Sequence, residues 1–214
     1  MGLIKRLVFS TRTRGIWQTL FWARFGLLHL NKFILYEINL KNLGTLSNES
    51  ENLRLERVPL DRLIAIRKNR KSVPLEFYAD KIDGVKECYF GYFNEDVAYL
   101  HWVYRPSDRS RFFELSDGQI EINNYITFPH YREMGFAVSA LKQAIAIHRE
   151  EGLSSIFSGV HSENLPSQKC LLRAGFVAIG QIKHYGPYRP RLPTSRIISP
   201  VSEKQSCSHS VNPR

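Results

Sequence analysis

The sequence predicts an α/β (α+β) domain, and three observations carry that prediction. Gly118 to Gly152 reads as strand, tight turn and helix: Ile120, Ile122, Tyr125, Ile126 and Phe128 form a strand, Pro129 ends it, and Ala137, Leu141, Ala144, Ile145 and His148 recur at helical spacing until Gly152. Lys86 to Phe93 and Val97 to Arg105 read as two aromatic strands joined by the polar turn Asn94-Glu95-Asp96, which is a hairpin. Helix signals stand between strands, with Leu60, Leu63, Ile64 and Arg67 at helical spacing after Pro59 and Asp61. With 214 residues, the chain fits one such domain.

The remaining elements follow in order. Met1 to Lys32 holds six basic residues and no acidic one, so the excess charge gathers at one end. Within it, residues 15–30 are rich in Trp, Phe and Leu but too short, and too interrupted by Arg24 and His29, for a spanning helix of about 20 apolar residues. A basic run precedes the apolar part and no small-residue cleavage site follows, which argues against a signal peptide. Two readings stay open: a helix in peripheral contact with a membrane surface, or a helix packed on the domain or on a second copy in a homodimer. Residues 1–32 are therefore expected to be a helical extension, residues 33–190 the domain, and residues 191–214, rich in Pro and Ser, a disordered tail. Lys32 to Leu40, Leu53 to Val58, Ser155 to Val160 and Val177 to His184 read as further strands. Pro74 to Ile82 reads as a second short helix, and Pro106 to Ser116 as an exposed charged loop.

A net charge of +10 and a sequence pI near 9.6 favour anionic partners such as phosphates, nucleic acid, acidic glycans or a membrane surface. Specific nucleic-acid binding is not expected, because the basic runs lack interleaved aromatic platforms or a groove helix. Cys88, Cys170 and Cys207 have no CxxC spacing, which points to a reducing, cytoplasmic setting with neither a metal site nor a disulfide framework.

The turn into the central helix carries the chemistry. Gly135 and the small Ala137 leave the first amides of that helix bare, and bare amides at a helix N-terminus form a site for an anion such as a phosphate. Arg132-Glu133-Met134-Gly135-Phe136-Ala137 resembles the Q/R-x-x-G-x-G/A acyl-CoA loop of the Gcn5-related N-acetyltransferase (GNAT) superfamily. The strand Ser155 to Val160 followed by NLPSQKCLLRAGF, Asn164 to Phe176, is similar to the closing part of that family. The resemblance covers roughly Leu55 to Tyr188. It implies a central mixed, mostly antiparallel sheet of about six to seven strands flanked by helices. Acetyl-CoA or another acyl-CoA would lie in a split between the fourth and fifth strands, with no metal involved. It implies an N-acetyltransferase or other acyltransferase that moves an acyl group to a primary amine, on a small molecule or a peptide.

On that resemblance the amides of Met134, Gly135, Phe136, Ala137, Val138 and Ser139 take the pyrophosphate, and Arg132 adds charge. The strand edge at Ile126, Thr127 and Phe128 pairs with the pantetheine. Asn164 either bonds the pantetheine arm or caps the helix that follows. Glu121 on the central strand is the first candidate for the base, since burial among apolar strands raises a carboxylate pKa; His161, His101 and His184 are alternatives. The family's Tyr seven residues after the Asn is here Leu171, so its usual proton donor is missing, and Cys170 or Tyr185 are the substitutes. The same departure keeps open a catalytically weak acyl-CoA-binding module. The aromatic N-terminus keeps open a long-chain acyltransferase resembling N-acyl amino acid synthases and working near a membrane.

Overall fold

A computed structural model describes residues 30–44, 53–69, 73–185 and 190–194. The helix expected within residues 15–30 lies, up to residue 29, outside the described residues, as do residues 186–189 and 195–214. The described chain runs β1 (Leu30–Asn39), β2 (Arg54–Val58), α1 (Leu60–Asn69), a 3-10 turn (Leu75–Tyr78) into α2 (Ala79–Ile82), β3 (Glu87–Phe93) and β4 (Asp96–Tyr104). It continues through β5 (Phe113–Glu114), β6 (Gln119–Thr127), a 3-10 turn (Pro129–Tyr131), α3 (Phe136–Glu150), β7 (Ser155–His161), α4 (Leu165–Arg173), β8 (Val177–Tyr185) and β9 (Leu192–Pro193).

Seven strands form one sheet in the order β2-β3-β4-β6-β7-β1-β8. All neighbours are antiparallel except β6 and β7, which run parallel and are therefore joined by the crossover helix α3. The hairpin between β3 and β4 turns at Asn94 and Glu95, whose φ values of 46° and 67° suit the right-handed twist of the strands they join. Leu30 to Lys32, expected at the end of the helical extension, belong instead to β1, which pairs with β8 from Leu30 onward.

Each face of the sheet is covered because alternate side chains leave the strands in opposite directions. On one face, Val138, Leu141, Ala144 and Ile145 of α3 and Leu171 of α4 meet Tyr36, Ile38, Tyr89, Val103, Ile120, Ile122 and Ile156. On the other, Leu63 of α1, Phe77 and Ala79 meet Cys88, Phe90, Leu100, Trp102 and Tyr104, and Trp102 Nε1 donates to the Glu76 carbonyl at 2.7 Å.

Two expectations are corrected. The loop after β4 is not an exposed one, since Phe112 and Phe113 are fully buried against Leu35, Phe157 and Ile182 and seal the second face below β7, β1 and β8. Leu192-Pro193, in the stretch expected to be a disordered tail, is a strand parallel to β5, and Thr194 beside it is buried, its hydroxyl donating to Gln119 Oε1 at 2.9 Å. Among the described residues no helix is long and apolar enough to cross a membrane.

Candidate active site

The sheet parts between β6 and β7. Their register covers only Gln119↔Ser155, Ile120↔Ile156 and Glu121↔Phe157, although β6 runs on to Thr127 and β7 to His161. The cause lies in β6. Between Trp102↔Asn123 and Leu100↔Ile126 the register shifts by one residue, and Asn124 takes a φ of 50°. This is a β-bulge, marked in the sequence by the polar pair Asn123-Asn124 that interrupts the apolar alternation of the strand, and the extra residue bends β6 away from its parallel neighbour. Asn123 Nδ2 still reaches the Gly159 carbonyl at 3.4 Å, so it marks the apex of the gap.

Alternation decides which peptide groups face that gap. Phe128 gives its N–H to the Ala98 carbonyl at 2.9 Å, so every second residue back from it, Ile126 included, also bonds toward β4. Thr127 therefore turns its peptide group to the gap, where Arg132 Nε approaches its carbonyl at 3.4 Å. Of the three residues expected along this edge, Thr127 alone offers its backbone; Ile126 and Phe128 offer side chains, packed against the α1-side core.

Beyond Thr127 the chain swings through the 3-10 turn and then through Glu133 and Gly135, with φ of 67° and 79°. Gly135 is the N-cap of α3 with no side chain capping the helix, and a Cβ built on it would meet nothing within 4 Å, so the space above the turn is open. Val138 and Ser139 N–H both return to the Gly135 carbonyl at 3.1 Å. Among the described residues the N–H groups of Phe136 and Ala137 meet no acceptor, and these carry the positive end of the helix dipole. The Phe136 ring holds the turn down, buried and 5.0 Å from Phe93, while Met134 is exposed. A cavity of about 370 Å³ opens beside the turn, lined by Asp96, Val97 and residues 128–131.

The catalytic candidates fall in three different places. Glu121 lies at the apex, fully buried, and its carboxylate accepts from Ser110 Oγ, from the N–H groups of Arg111 (3.0 Å) and Phe112 (3.3 Å), and from Asn123 Nδ2 (2.7 Å). Burial pushes its pKa up, while these donors and the Arg111 charge pull it down. With four donors around it, the carboxylate anchors the loop after β4. His161 ends β7 on the far wall of the gap, its Nδ1 accepting from Glu163 N–H at 3.3 Å and its ring edge-on to Phe33. Tyr185 is not brought to the gap: it is exposed at the end of β8, opposite Leu30 and two strands past β7.

Asn164 caps α4, its Oδ1 accepting from Ser167 N–H at 3.2 Å. Leu171 is fully buried in the core beneath α4, and burial raises the Cys170 thiol beside it. Two features escaped the sequence reading. Tyr125, taken as a core strand residue, stands one position past the bulge and sends its hydroxyl toward the Ser167 carbonyl of α4 at 3.5 Å. Its ring packs on the cluster that contains Leu171, and burial keeps the phenol protonated. The second is Arg111, whose Nη1 donates to Asn123 Oδ1 at 3.2 Å and Asn124 Oδ1 at 2.5 Å. The bulge signal and the alternation of β6 could have exposed Tyr125; nothing local in the sequence could have turned Arg111 inward. Among the described residues no group of His, Cys, Asp or Glu side chains could hold a metal ion.

A parallel strand pair that parts beside a bare helix N-terminus, in a mixed and mostly antiparallel sheet, is the feature that defines the class of this domain. The chain belongs to the acetyltransferase (GNAT) family, whose sequence model matches residues 62–176. Solved structures agree on the fold. A GNAT-family protein from Novosphingobium aromaticivorans superimposes with a TM-score of 0.50 at 13% identity, over 73% of this chain and 64% of that one. A GNAT-family acetyltransferase from Colwellia psychrerythraea gives 0.51 at 13%, over 85% and 71%. A GCN5-related N-acetyltransferase from Sphaerobacter thermophilus gives 0.52 at 11%, over 86% and 60%. The chain thus spans less than two thirds of the first and the last of these proteins. No curated protein matches it.

Proposed function

We propose that the chain transfers an acyl group, acetyl in the first instance, from CoA to a primary amine by direct attack. The observation that carries the proposal is the gap between β6 and β7 with the uncapped start of α3 standing over it. The residues present suit the ligand: Phe136 and Ala137 offer N–H groups and Arg132 a charge to a diphosphate, the open space over Gly135 admits it, and Thr127 offers a peptide group to the amides of the arm.

In the reaction the amine nitrogen attacks the thioester carbonyl carbon, the C–S bond breaks, the amine gives up a proton and the departing sulfur accepts one. Tyr125 is placed for the second transfer. Leu171 leaves no hydroxyl at its own position on α4, and the Tyr125 phenol reaches the same helix from the strand opposite. For the amine proton, the candidate acceptors are Glu121 at the apex of the gap and His161 on its far wall.

One experiment tests this: CoA binding by calorimetry and thiol release from acetyl-, octanoyl- and palmitoyl-CoA over an amine panel, for the full chain and four variants. Gly135→Glu should abolish binding, because a carboxylate would stand where the diphosphate lies. Tyr125→Phe should bind normally and turn over about 100- to 10,000-fold more slowly, the usual range for one acid–base group. Of Glu121→Gln and His161→Gln, the variant that loses the acidic limb of the pH profile identifies the base. Unchanged CoA uptake by Gly135→Glu would sink the proposal. Buried Leu171 favours a second reading, a CoA-binding module with little catalysis; tight binding without thiol release from any donor would establish it. A preference for palmitoyl-CoA would bring residues 15–30 into the reaction as the long-chain reading requires.

A further inference from the structure

Beside the gap stands a cation with no ion pair of its own among the described residues, although its charge is felt by the buried Glu121 carboxylate. Arg111 is half-buried, and its guanidinium rests against the Phe112 ring, 5.5 Å away. Its only side-chain hydrogen bonds among the described residues go to the neutral Asn123 and Asn124 carbonyls. Its Nε is buried without a partner, and among the described residues no carboxylate lies within ion-pair distance of it. A guanidinium is a planar fork of donors that fits a carboxylate two-pronged, and taking it partly out of water with only neutral groups to accept its hydrogen bonds leaves that fork underused.

Its position is held from the other side. Asn124 Nδ2 donates to the Tyr104 hydroxyl at 2.6 Å and toward Asp83 Oδ2 at 3.4 Å, while that hydroxyl donates to Asp83 Oδ2 at 3.0 Å. Asn124 is thereby fixed in its left-handed backbone at the bulge, a conformation that costs about 1 kcal/mol or more and persists only where surroundings enforce it. Arg111 is thus aimed at the apex of the gap, next to Asn123 where β6 leaves β7.

Building on the acyl-transfer reading above, we propose that the acceptor is a free amino acid and that Arg111 binds its carboxylate, presenting the amine to the thioester. Arg111 is then a specificity residue of the acceptor site, and Asp83, Tyr104 and Asn124 position it.

The test compares matched acceptors with the full chain and acetyl-CoA: phenylalanine against its methyl ester and phenethylamine, and lysine against its methyl ester and cadaverine. The free carboxylate should raise kcat/KM by about 10- to 100-fold, the worth of one charge-assisted, two-pronged contact, and chiefly through KM. Arg111→Gln should erase that preference, and Arg111→Lys, which keeps the charge without the fork, should keep part of it. CoA binding by calorimetry shows whether each variant is folded; if Arg111→Gln is not, Arg111→Lys decides. Equal use of acid, ester and amine by the unaltered chain, or a preference that survives in Arg111→Gln, overturns the proposal. If no donor gives thiol release, the acyl-transfer reading has failed by itself. The acceptor site is then judged by titrating the CoA-saturated chain with phenylalanine and its methyl ester, and equal binding of the two overturns it.

Discussion

His101 shows what a single buried side chain does to this protein. It sits on β4 opposite the bulge, fully buried, stacked on Tyr89 at 5.1 Å and tilted against Tyr99 at 5.6 Å, with neither ring nitrogen partnered among the described residues. Burial, with His148 of α3 nearby, lowers its pKa to about 3, so it stays neutral and is a poor proton acceptor for catalysis. In the unfolded chain the same ring titrates near 6.5. Between those values the unfolded state holds a proton that the native state lacks, so stability is complete above about pH 6.5 and falls as pH drops toward 3. The loss is about 1.4 kcal/mol per unit of pH. Replacing His101 by Leu should flatten this dependence. In urea unfolding at pH 7.5, 6.0 and 5.0, the unaltered chain should lose stability relative to His101→Leu at each step down; parallel curves would refute the assignment. The sequence offered His101 as a candidate base because it saw a His on a strand. Which face that His takes depends on the register of β4, and the face puts it under α3.

At the scale of elements, local chemistry was the part that could be read in advance. Asn94-Glu95 made a tight turn, Asn123-Asn124 made the bulge, and Gly135 with Ala137 opened α3, because in each case the residues themselves fix the backbone. The loop from Arg105 to Gly118 could not be read, since its burial is decided by partners far along the chain. Phe112 and Phe113 sit between charged neighbours and look exposed until β7 supplies Gly159 to receive them. A Cβ at Gly159 would fall 2.4 Å from the Phe112 ring, closer than such atoms approach. Gly159→Ala should therefore lift the loop and cost about 1–3 kcal/mol, the usual range for overpacking. Because Ser110 and Arg111 travel with Phe112, the acceptor KM should rise while CoA affinity, which depends on the start of α3, holds. Thermal melts and calorimetry on one preparation check both, and a loss of CoA affinity equal to the acceptor effect would contradict this division of labour.

The whole molecule depends on a strand outside the family match. β7 shares three register pairs with β6 but seven with β1, from Phe33↔His161 to Asn39↔Ser155. The far wall of the gap is thus held from behind, and β6 and β7 can part because β1 keeps β7 in the sheet. The same strand holds β8 on its other edge and sends Leu35, Tyr36 and Ile38 into the cores on both faces. Without it, β7 and β8 would each present an unpaired edge, and hydrophobic surface from both would meet water. A chain lacking residues 1–39 should therefore aggregate or melt without a cooperative transition, although the residues that match the family and every amide assigned to CoA are intact. Because truncation removes much at once, Leu35→Asp serves as the narrower variant. Leu35 is fully buried between Gly159 and Gly180, and an unpaired carboxylate there should cost about 3–5 kcal/mol. Both chains should lose CoA binding together with their melting transition. A truncated chain that melts sharply and binds CoA as the full chain does would mean that β6 and α3 hold the gap by themselves, and that β1 is an addition to the site rather than its support.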